Sequence, residues 1–478
     1  MDTEKLHVAI VASPGLGHLT PVLLLGNRLA THHNIHVTVI VVTTQLSPAE
    51  SKILHPSTAP KLLNIVQVPH VDISGLIDAN TKVVTQLSIM MRETRPRIRS
   101  AISAMNHRPD ALIVDLFGSE LFPIAEEFCM PRYIFVTSTA WFVALTTYCQ
   151  VLDKEIQGEY VDQKEPLKIP GCRPVHPKDV VDPMLDRSDQ QYREYIRHGV
   201  EYSMFDGILM NTWEDLEPTT IQALRNDEIL QTVVKVPVYP IGPLSTPVKP
   251  VSQKSELIEW LDTQPSDSVM YVSFGSGGTM AAEQVNELAW GLELSQQRFI
   301  WVVRPPMESH ADGTFFTAGN GPDGTPAYLP ERFLTRTHKL GKVVPLWVPQ
   351  MEILNHPSVG VFLSHCGWNS ALESISNGVP MVAWPLYAEQ RLNATLLTED
   401  LGVAWRPTVL PAKKVVEREE IEKMVRNVMQ YREEGKGRWE RVKEVKCSGD
   451  RALSKGGSSY NSLCEVIKDC ERRLKKLI

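Results

Sequence analysis

Residues 7–21 read HVAIVASPGLGHLTP and residues 269–284 read VMYVSFGSGGTMAAEQ. Each is an apolar, β-rich run, then a glycine-containing tight turn, then the start of a helix, which is how the first βα unit of a Rossmann-like domain is written. Two such openings in one chain predict two doubly wound α/β domains. After the first, β-rich runs at 36–44, 111–115 and 133–136 alternate with longer helical stretches such as 83–105, the pattern of a parallel sheet covered by helices. The second is flanked by a helix around 256–261, a helix from about 281 and a strand at 299–303. Between the halves, VPVYPIGPLSTPVKP carries Pro237, Pro240, Pro243, Pro247 and Pro250, where neither helix nor central strand persists. The boundary expected there gives domains 1–245 and 246–478, with the last helix free to pack back on the first domain.

Composition agrees with two sizeable cores. The chain has 478 residues, with 49 Lys plus Arg against 56 Asp plus Glu and a net charge of −7. Its basic residues are scattered, so it lacks the positive footprint that nucleic acid requires. Seven cysteines without a CxxC pair frame neither a disulfide scaffold nor a zinc site, and point to a reducing, cytoplasmic compartment. The N-terminus, MDTEK, is acidic where a signal peptide is basic. The longest charge-free run, 133–152, is rich in Thr and Ser and reads as a strand leading into a core helix, not as a membrane span. The sequon Asn393-Ala394-Thr395 reads as chance. Residues 305–330, rich in Gly, Pro and Thr, read as a long surface loop. The basic end, 472–476, reads as a solvated helix face.

Several motif readings fail. Counted from Gly15 and Gly275, the third glycine of GxGxxG is Thr20 and Met280, and a GxSxG elbow around Ser276 has Phe274 where glycine is needed. No DxD triplet is present, so a sugar nucleotide's phosphates must be neutralised by protein groups, and no metal ligands are expected. The richest stretch is 347–390, WVPQMEILNHPSVGVFLSHCGWNSALESISNGVPMVAWPLYAEQ. Its 359–363 is a buried strand, SHCG a turn and 368–377 a helix. That helix N-terminus, with His365, Asn369 and Ser370, is an anion site suited to a pyrophosphate. Glu373 can accept hydrogen bonds from two ribose hydroxyls, and Trp347 offers a face for a base.

This stretch resembles the plant secondary product glycosyltransferase signature of family 1 UDP-dependent glycosyltransferases, from its first Trp through HCGWNS to its last Gln. The resemblance extends over the chain through GLGHLTP and SFGSGGT. It implies a GT-B fold, two Rossmann-like domains facing across a cleft, the acceptor bound mainly by the first and the UDP-sugar by the second. It implies that Trp347 stacks on uracil, that the Val348 backbone and Gln350 contact uracil and ribose, and that Glu373 holds the ribose. His365, Asn369, Ser370 and the Gly367 and Trp368 backbone would hold the phosphates, with Ser276 assisting. Glu389 and Gln390 would bind sugar hydroxyls; the family usually has Asp at the penultimate position, and a final Gln resembles glucose users. Thr137, or Ser138 beside it, would reach the sugar 6-hydroxyl, against the alternative of helix capping. Phe117 and Trp141 would line an apolar acceptor pocket, against the alternative of plain core. SFGSGGT, LFGSE and the Glu389-Gln390 ending are similar to hydroquinone and monolignol glucosyltransferases.

His18 stands at the position of the family's catalytic base and Asp115, ending ALIVD, at that of its partner carboxylate. A histidine near pKa 6.5 is a suitable base at neutral pH, and a carboxylate behind it fixes the tautomer and stabilises the imidazolium. The expected reaction is a metal-independent, cofactor-free, inverting transfer of glucose from UDP-glucose to a hydroxyl of a small plant phenolic or phenylpropanoid, with flavonoids and related polyphenols as the further acceptor class, giving a β-glucoside, by a monomer without integral membrane association. The alternatives are a UDP-sugar-binding protein without turnover and a UDP-sugar epimerase.

Overall fold

The computed structural model describes residues 5–44, 48–54, 60–247, 254–307, 328–408, 414–430 and 432–477. Two compact units divide the chain: Met1–Leu244 together with Gly449–Ile478, and Ser245–Ser448. The second unit therefore ends 30 residues before the expected 478, because the final stretch belongs to the first. Of the expected surface loop 305–330, residues 308–327 lie outside the described residues, as do Pro250 and the first four residues.

Among the described residues, the first unit holds a sheet of seven strands: β1 (His7–Ala12), β2 (His36–Thr43), β3 (Leu63–Pro69), β4 (Ala111–Asp115), β5 (Arg132–Val136), β6 (Gly207–Met210) and β7 (Val238–Pro240). All pairings are parallel, in the order β3-β2-β1-β4-β5-β6-β7. The central strands are mainly apolar on both faces and buried beyond their first residues, His7 and Arg132 being half-buried, as a sheet covered on both sides requires. The expected helix 83–105 is Val83–Ser103. The prolines do carry a strand, β7, but a three-residue one at the sheet edge, where a missing N–H is tolerated. The charge-free run 133–152 is β5 followed by the helix Ala140–Glu155. Among the described residues no helix is long and apolar enough to cross a membrane.

The last helix, Ser458–Leu477, lays Leu463, Val466 and Cys470 into the same core as Ile10, Val39 and Phe135. Each such burial stabilises by about 1.5–3 kcal/mol for a full Leu or Val side chain. The buried Tyr133 hydroxyl donates to Asp469 Oδ2 at 2.7 Å, and Arg473 pairs with both Asp469 and Asp206. The basic end expected to be solvated is thus partly engaged with acidic neighbours.

The second unit repeats the plan with six parallel strands among the described residues: β8 (Val269–Ser273), β9 (Arg298–Val303), β10 (Gly341–Pro345), β11 (Val359–Ser364), β12 (Met381–Ala383) and β13 (Ala404–Trp405), in the order β10-β9-β8-β11-β12-β13. In both sheets the first strand of the unit has later strands on one side and still later ones on the other. The order reverses between β1 and β4, and again between β8 and β11. Ligands of doubly wound sheets bind outside the carboxyl ends of the strands at such a reversal.

Candidate active site

At the reversal in the first unit, β1 runs into Ser13, Pro14 and Gly15, whose φ of 106° only glycine adopts readily, and the helix Leu16–His32 begins. His18 sits in its first turn. Asp115 is the last residue of β4, which pairs directly with β1. The Asp115 side chain is fully buried and faces His18 Nδ1 at 3.5 Å. It is held by neighbours on both sides: Oδ2 accepts from the Ser13 N–H at 2.8 Å and from the Ser13 hydroxyl, and Oδ1 accepts from the Phe117 N–H at 3.2 Å. A carboxylate so constrained cannot turn away from the imidazole. Burial lowers the His18 pKa below its ordinary 6.5, and Asp115 opposes part of that shift. The ring is therefore neutral at pH 7, with Nδ1 on the side of the carboxylate.

Phe117 is buried and meets the His18 ring edge-on, with centroids 5.3 Å apart, so it forms a wall beside the base. Trp141 is buried in the helix Ala140–Glu155, within the interior of the unit. Thr137 and Ser138 follow β5 and are both buried, but the helix is capped by the next residue: Thr139 Oγ1 accepts from the Phe142 N–H at 2.9 Å. Capping therefore does not account for Thr137 or Ser138, and the Ser138 hydroxyl is buried without a hydrogen-bond partner.

At the reversal in the second unit, β8 runs into the Gly275 turn and β11 into His365, Cys366 and Gly367, where the helix Trp368–Asn377 begins. Its N-cap residue is Gly367, which has no side chain to cap it, and the first N–H groups of any helix have no acceptor within it. With the partial positive charge of the helix end they form an anion site. The Trp368 indole is buried, so its backbone is what reaches that site; Ser370 is buried in the same turn and Asn369 is half-buried. His365 lies between two glycines: a Cβ at Gly275 would stand 2.5 Å from its ring, and one at Gly367 would stand 2.4 Å from Nε2. Burial, with the nearby Arg304 second, pushes the His365 pKa down to about 4, so the ring is neutral at pH 7. Its Nδ1 is buried without a hydrogen-bond partner among the described residues. Ser276 is half-buried in the Gly275 turn. Cys366 is fully buried, with its thiol pushed up to about 12, as a packing residue should be.

Trp347 is 51% exposed, unusual for an indole and suited to a stacking platform. Val348 beside it is buried. Gln350 Nε2 donates to Glu373 Oε2 at 2.7 Å and to Ser370 Oγ at 3.1 Å, so these three residues form one cluster. Burial raises the Glu373 pKa, and hydrogen bonds from Gln350 and Thr246 oppose the rise. Glu389 accepts from Asn393 Nδ2 at 3.2 Å. Gln390 is buried, and its Oε1 accepts from the Leu386 and Tyr387 N–H groups at 2.9 and 3.1 Å. Its oxygen is committed to the backbone, which leaves Nε2 as the atom able to meet a sugar. Asn393, of the sequon, is fully buried, which agrees with reading that motif as chance. Among the described residues no group of three His, Cys, Asp or Glu side chains converges to hold a metal.

Sequence reading missed two contributors here. Arg304, the residue after β9, donates from Nε to the Gly275 carbonyl at 3.0 Å and from Nη2 to the Leu346 carbonyl at 2.9 Å, tying the glycine turn to the segment before Trp347. A cation closing an apolar strand was the available signal. The other is backbone strain. Leu346, Cys366 and Ala388 have φ of 62°, 65° and 55°, and each adjoins a site residue: Trp347, His365 with Gly367, and Glu389. Left-handed non-glycine residues concentrate where geometry is imposed by function.

The first unit thus carries His18 beside Asp115 at its reversal, and the second carries a helix N-terminus beside Gln350, Ser370 and Glu373. Residues 200–432 match the family model described as UDP-glucoronosyl and UDP-glucosyl transferase. The chain is 57% identical over 472 residues to anthocyanidin 3-O-glucosyltransferase 5 of Manihot esculenta, covering 99% of this chain and 97% of that one. It is 42% identical to the hydroquinone glucosyltransferase of Rauvolfia serpentina over 98% of each chain. Its structure matches that of TcCGT1 in complex with UDP with a TM-score of 0.93 and 48% identity, over 98% of this chain and 100% of that one. The chain belongs to the UDP-dependent glycosyltransferases of family 1, and it is a UDP-glycosyltransferase of the GT-B fold.

Proposed function

We propose that the enzyme transfers glucose from UDP-glucose to the hydroxyl of a small phenolic acceptor, with inversion, to give a β-glucoside. The observation that carries the reading is the neutral His18 held at 3.5 Å from a fully buried Asp115 that Ser13 and Phe117 fix in place. His18 Nε2 accepts the acceptor's proton as the oxygen attacks the anomeric carbon, and Asp115 stabilises the imidazolium that forms. Deprotonation before attack would cost roughly 5 kcal/mol for a phenol near pKa 10 against a base near 6.5, so proton transfer accompanies bond formation. The donor's uracil stacks on Trp347, its ribose meets Glu373, and the departing diphosphate is stabilised by the Trp368–Asn377 helix end and His365. Ser276, Thr137, Glu389 and Gln390 complete the phosphate and sugar contacts, and Phe117 and Trp141 the acceptor wall. One displacement inverts an α-linked donor.

The phenolic acceptor is supported by the names of the two glucosyltransferase relatives, anthocyanidin and hydroquinone. The reading draws on no metal or cofactor, and the cysteine usage favours the cytoplasm. The test is incubation with UDP-glucose and hydroquinone in EDTA, following UDP and product by mass spectrometry and the anomeric proton by NMR. The expected result is equal amounts of UDP and β-glucoside, with His18→Ala lowering turnover by at least 10³-fold at unchanged UDP affinity. UDP-sugar interconversion without acceptor, binding without conversion across a phenol panel, or an α-product overturns the reading.

A further inference from the structure

The residues assigned to the ribose, Gln350 and Glu373, do not hold themselves in place. Tyr271 is the middle residue of β8, is 1% exposed, and stacks on Phe362 of β11, its partner in register, with centroids 4.8 Å apart. Its hydroxyl reaches past the sheet and donates to Gln350 Oε1 at 3.0 Å. Gln350 in turn donates to Glu373 and Ser370. We propose that Tyr271 is the positioning residue of the ribose subsite, fixing through Gln350 the carboxylate that reads the nucleotide's 2′- and 3′-hydroxyls. This rests on the donor reading given above.

The argument is one of hydrogen-bond inventory. Glu373 as a carboxylate only accepts, so the amide nitrogen of Gln350 must face it and the amide oxygen must face away. The oxygen then lies at the Tyr271 hydroxyl, and burial raises the pKa of that phenol, so it remains a protonated donor. Turning the amide over would set its NH2 against the phenol and its oxygen against the carboxylate. The carboxylate thus sets the Gln350 orientation, and the hydroxyl, by donating to the amide oxygen, anchors it there. Packing does not need it: the Phe362 stack and the parallel ladders on both sides of β8 are unaffected by loss of one oxygen. Without the hydroxyl, Gln350 keeps its donations to Glu373 and Ser370 but loses the anchor on its oxygen, so the amide is held less firmly against the carboxylate.

The experiment is titration calorimetry of UDP and 2′-deoxy-UDP against the full chain and Tyr271→Phe. The native enzyme should favour UDP over its 2′-deoxy analogue by about tenfold, the scale of one hydrogen bond to a charged group. In Tyr271→Phe, UDP affinity should fall about tenfold, 2′-deoxy-UDP affinity should stay within about twofold, and kcat at saturating UDP-glucose should hold. A merely structural role would weaken both ligands alike. Native-like discrimination in Tyr271→Phe overturns the proposal and leaves the donor reading intact. No discrimination in the native enzyme overturns the assignment of Glu373 to the ribose. Should Tyr271→Phe fail to fold, Gln350→Met, which can neither accept from Tyr271 nor donate to Glu373, must lose the discrimination; its retention is equally fatal.

Discussion

Asp115→Asn tests the proposed chemistry with almost no change in volume. One oxygen becomes an NH2 group. If the remaining oxygen faces Ser13, the NH2 opposes the Phe117 N–H; if it faces Phe117, the NH2 opposes the Ser13 N–H and His18 Nδ1. Either arrangement turns one buried pairing into donor against donor, costing about 1–3 kcal/mol of stability. The effect on rate is larger. A negative charge 3.5 Å from the imidazolium is worth roughly 4–5 kcal/mol at an effective dielectric near 20. Its loss corresponds to a fall in kcat on the order of 10³-fold. The donor groups are in the other unit, so UDP affinity should not change. Because Asp115 raises the His18 pKa against burial, its removal should also move the acid limb of kcat/KM to lower pH, while the rate is lower throughout. Steady-state UDP release across pH 5–8, with calorimetry for UDP, measures all three. A folded variant that loses less than tenfold in kcat would remove Asp115 from the mechanism.

Two further outcomes follow from the geometry. Trp347→Ala should weaken UDP by about 1–3 kcal/mol, the value of one base-stacking surface, and leave the melting temperature within about 2 °C because half of the indole is already in water; unchanged UDP affinity would refute the stacking role. His365 and His198 are buried, with pKa values pushed down to about 4 and about 3, His198 by burial first and then by Arg197 and Arg92. Above pH 6.5 both are neutral whether folded or not, and their contribution is fully present. Below it the unfolded chain binds protons that the folded one refuses, so each costs roughly 2 kcal/mol by pH 5. Thermal melts from pH 7.5 to 5 should fall in both units, and a flat profile would contradict the burial of these rings.

What could be read from sequence was local. A strand, a glycine turn and a helix start lie within 15 residues of one another, so the βα openings and the 347–390 box were visible. Contacts made over long separations were not. Ser13 holds Asp115 from 102 residues away, and nothing in SPG marks that serine as a carboxylate partner. Gln390 reads as a sugar ligand, yet its amide oxygen satisfies two N–H groups of its own turn, because a buried turn must pair its backbone somewhere. Leu346, Cys366 and Ala388 carry no sign of left-handed backbone, since that conformation is imposed by their surroundings. The return of the last helix to the first unit depends on Tyr133, Asp469 and the apolar face beside them, none of them near the others in sequence.

That return makes the donor half an insertion. The chain leaves the first unit at Leu244 and re-enters it at Gly449. Chimeras that exchange acceptor specificity between relatives consequently need two crossovers, one on each side of the inserted half. A single exchange near the prolines would pair one parent's β5 with the other parent's closing helix, and the fusion would carry its mismatch at Tyr133 and Asp469, far from any ligand. In the same way, shortening the protein from its C-terminus strips a helix from the unit that carries His18 and Asp115, although by chain order it looks like trimming the unit that carries residues 347–390.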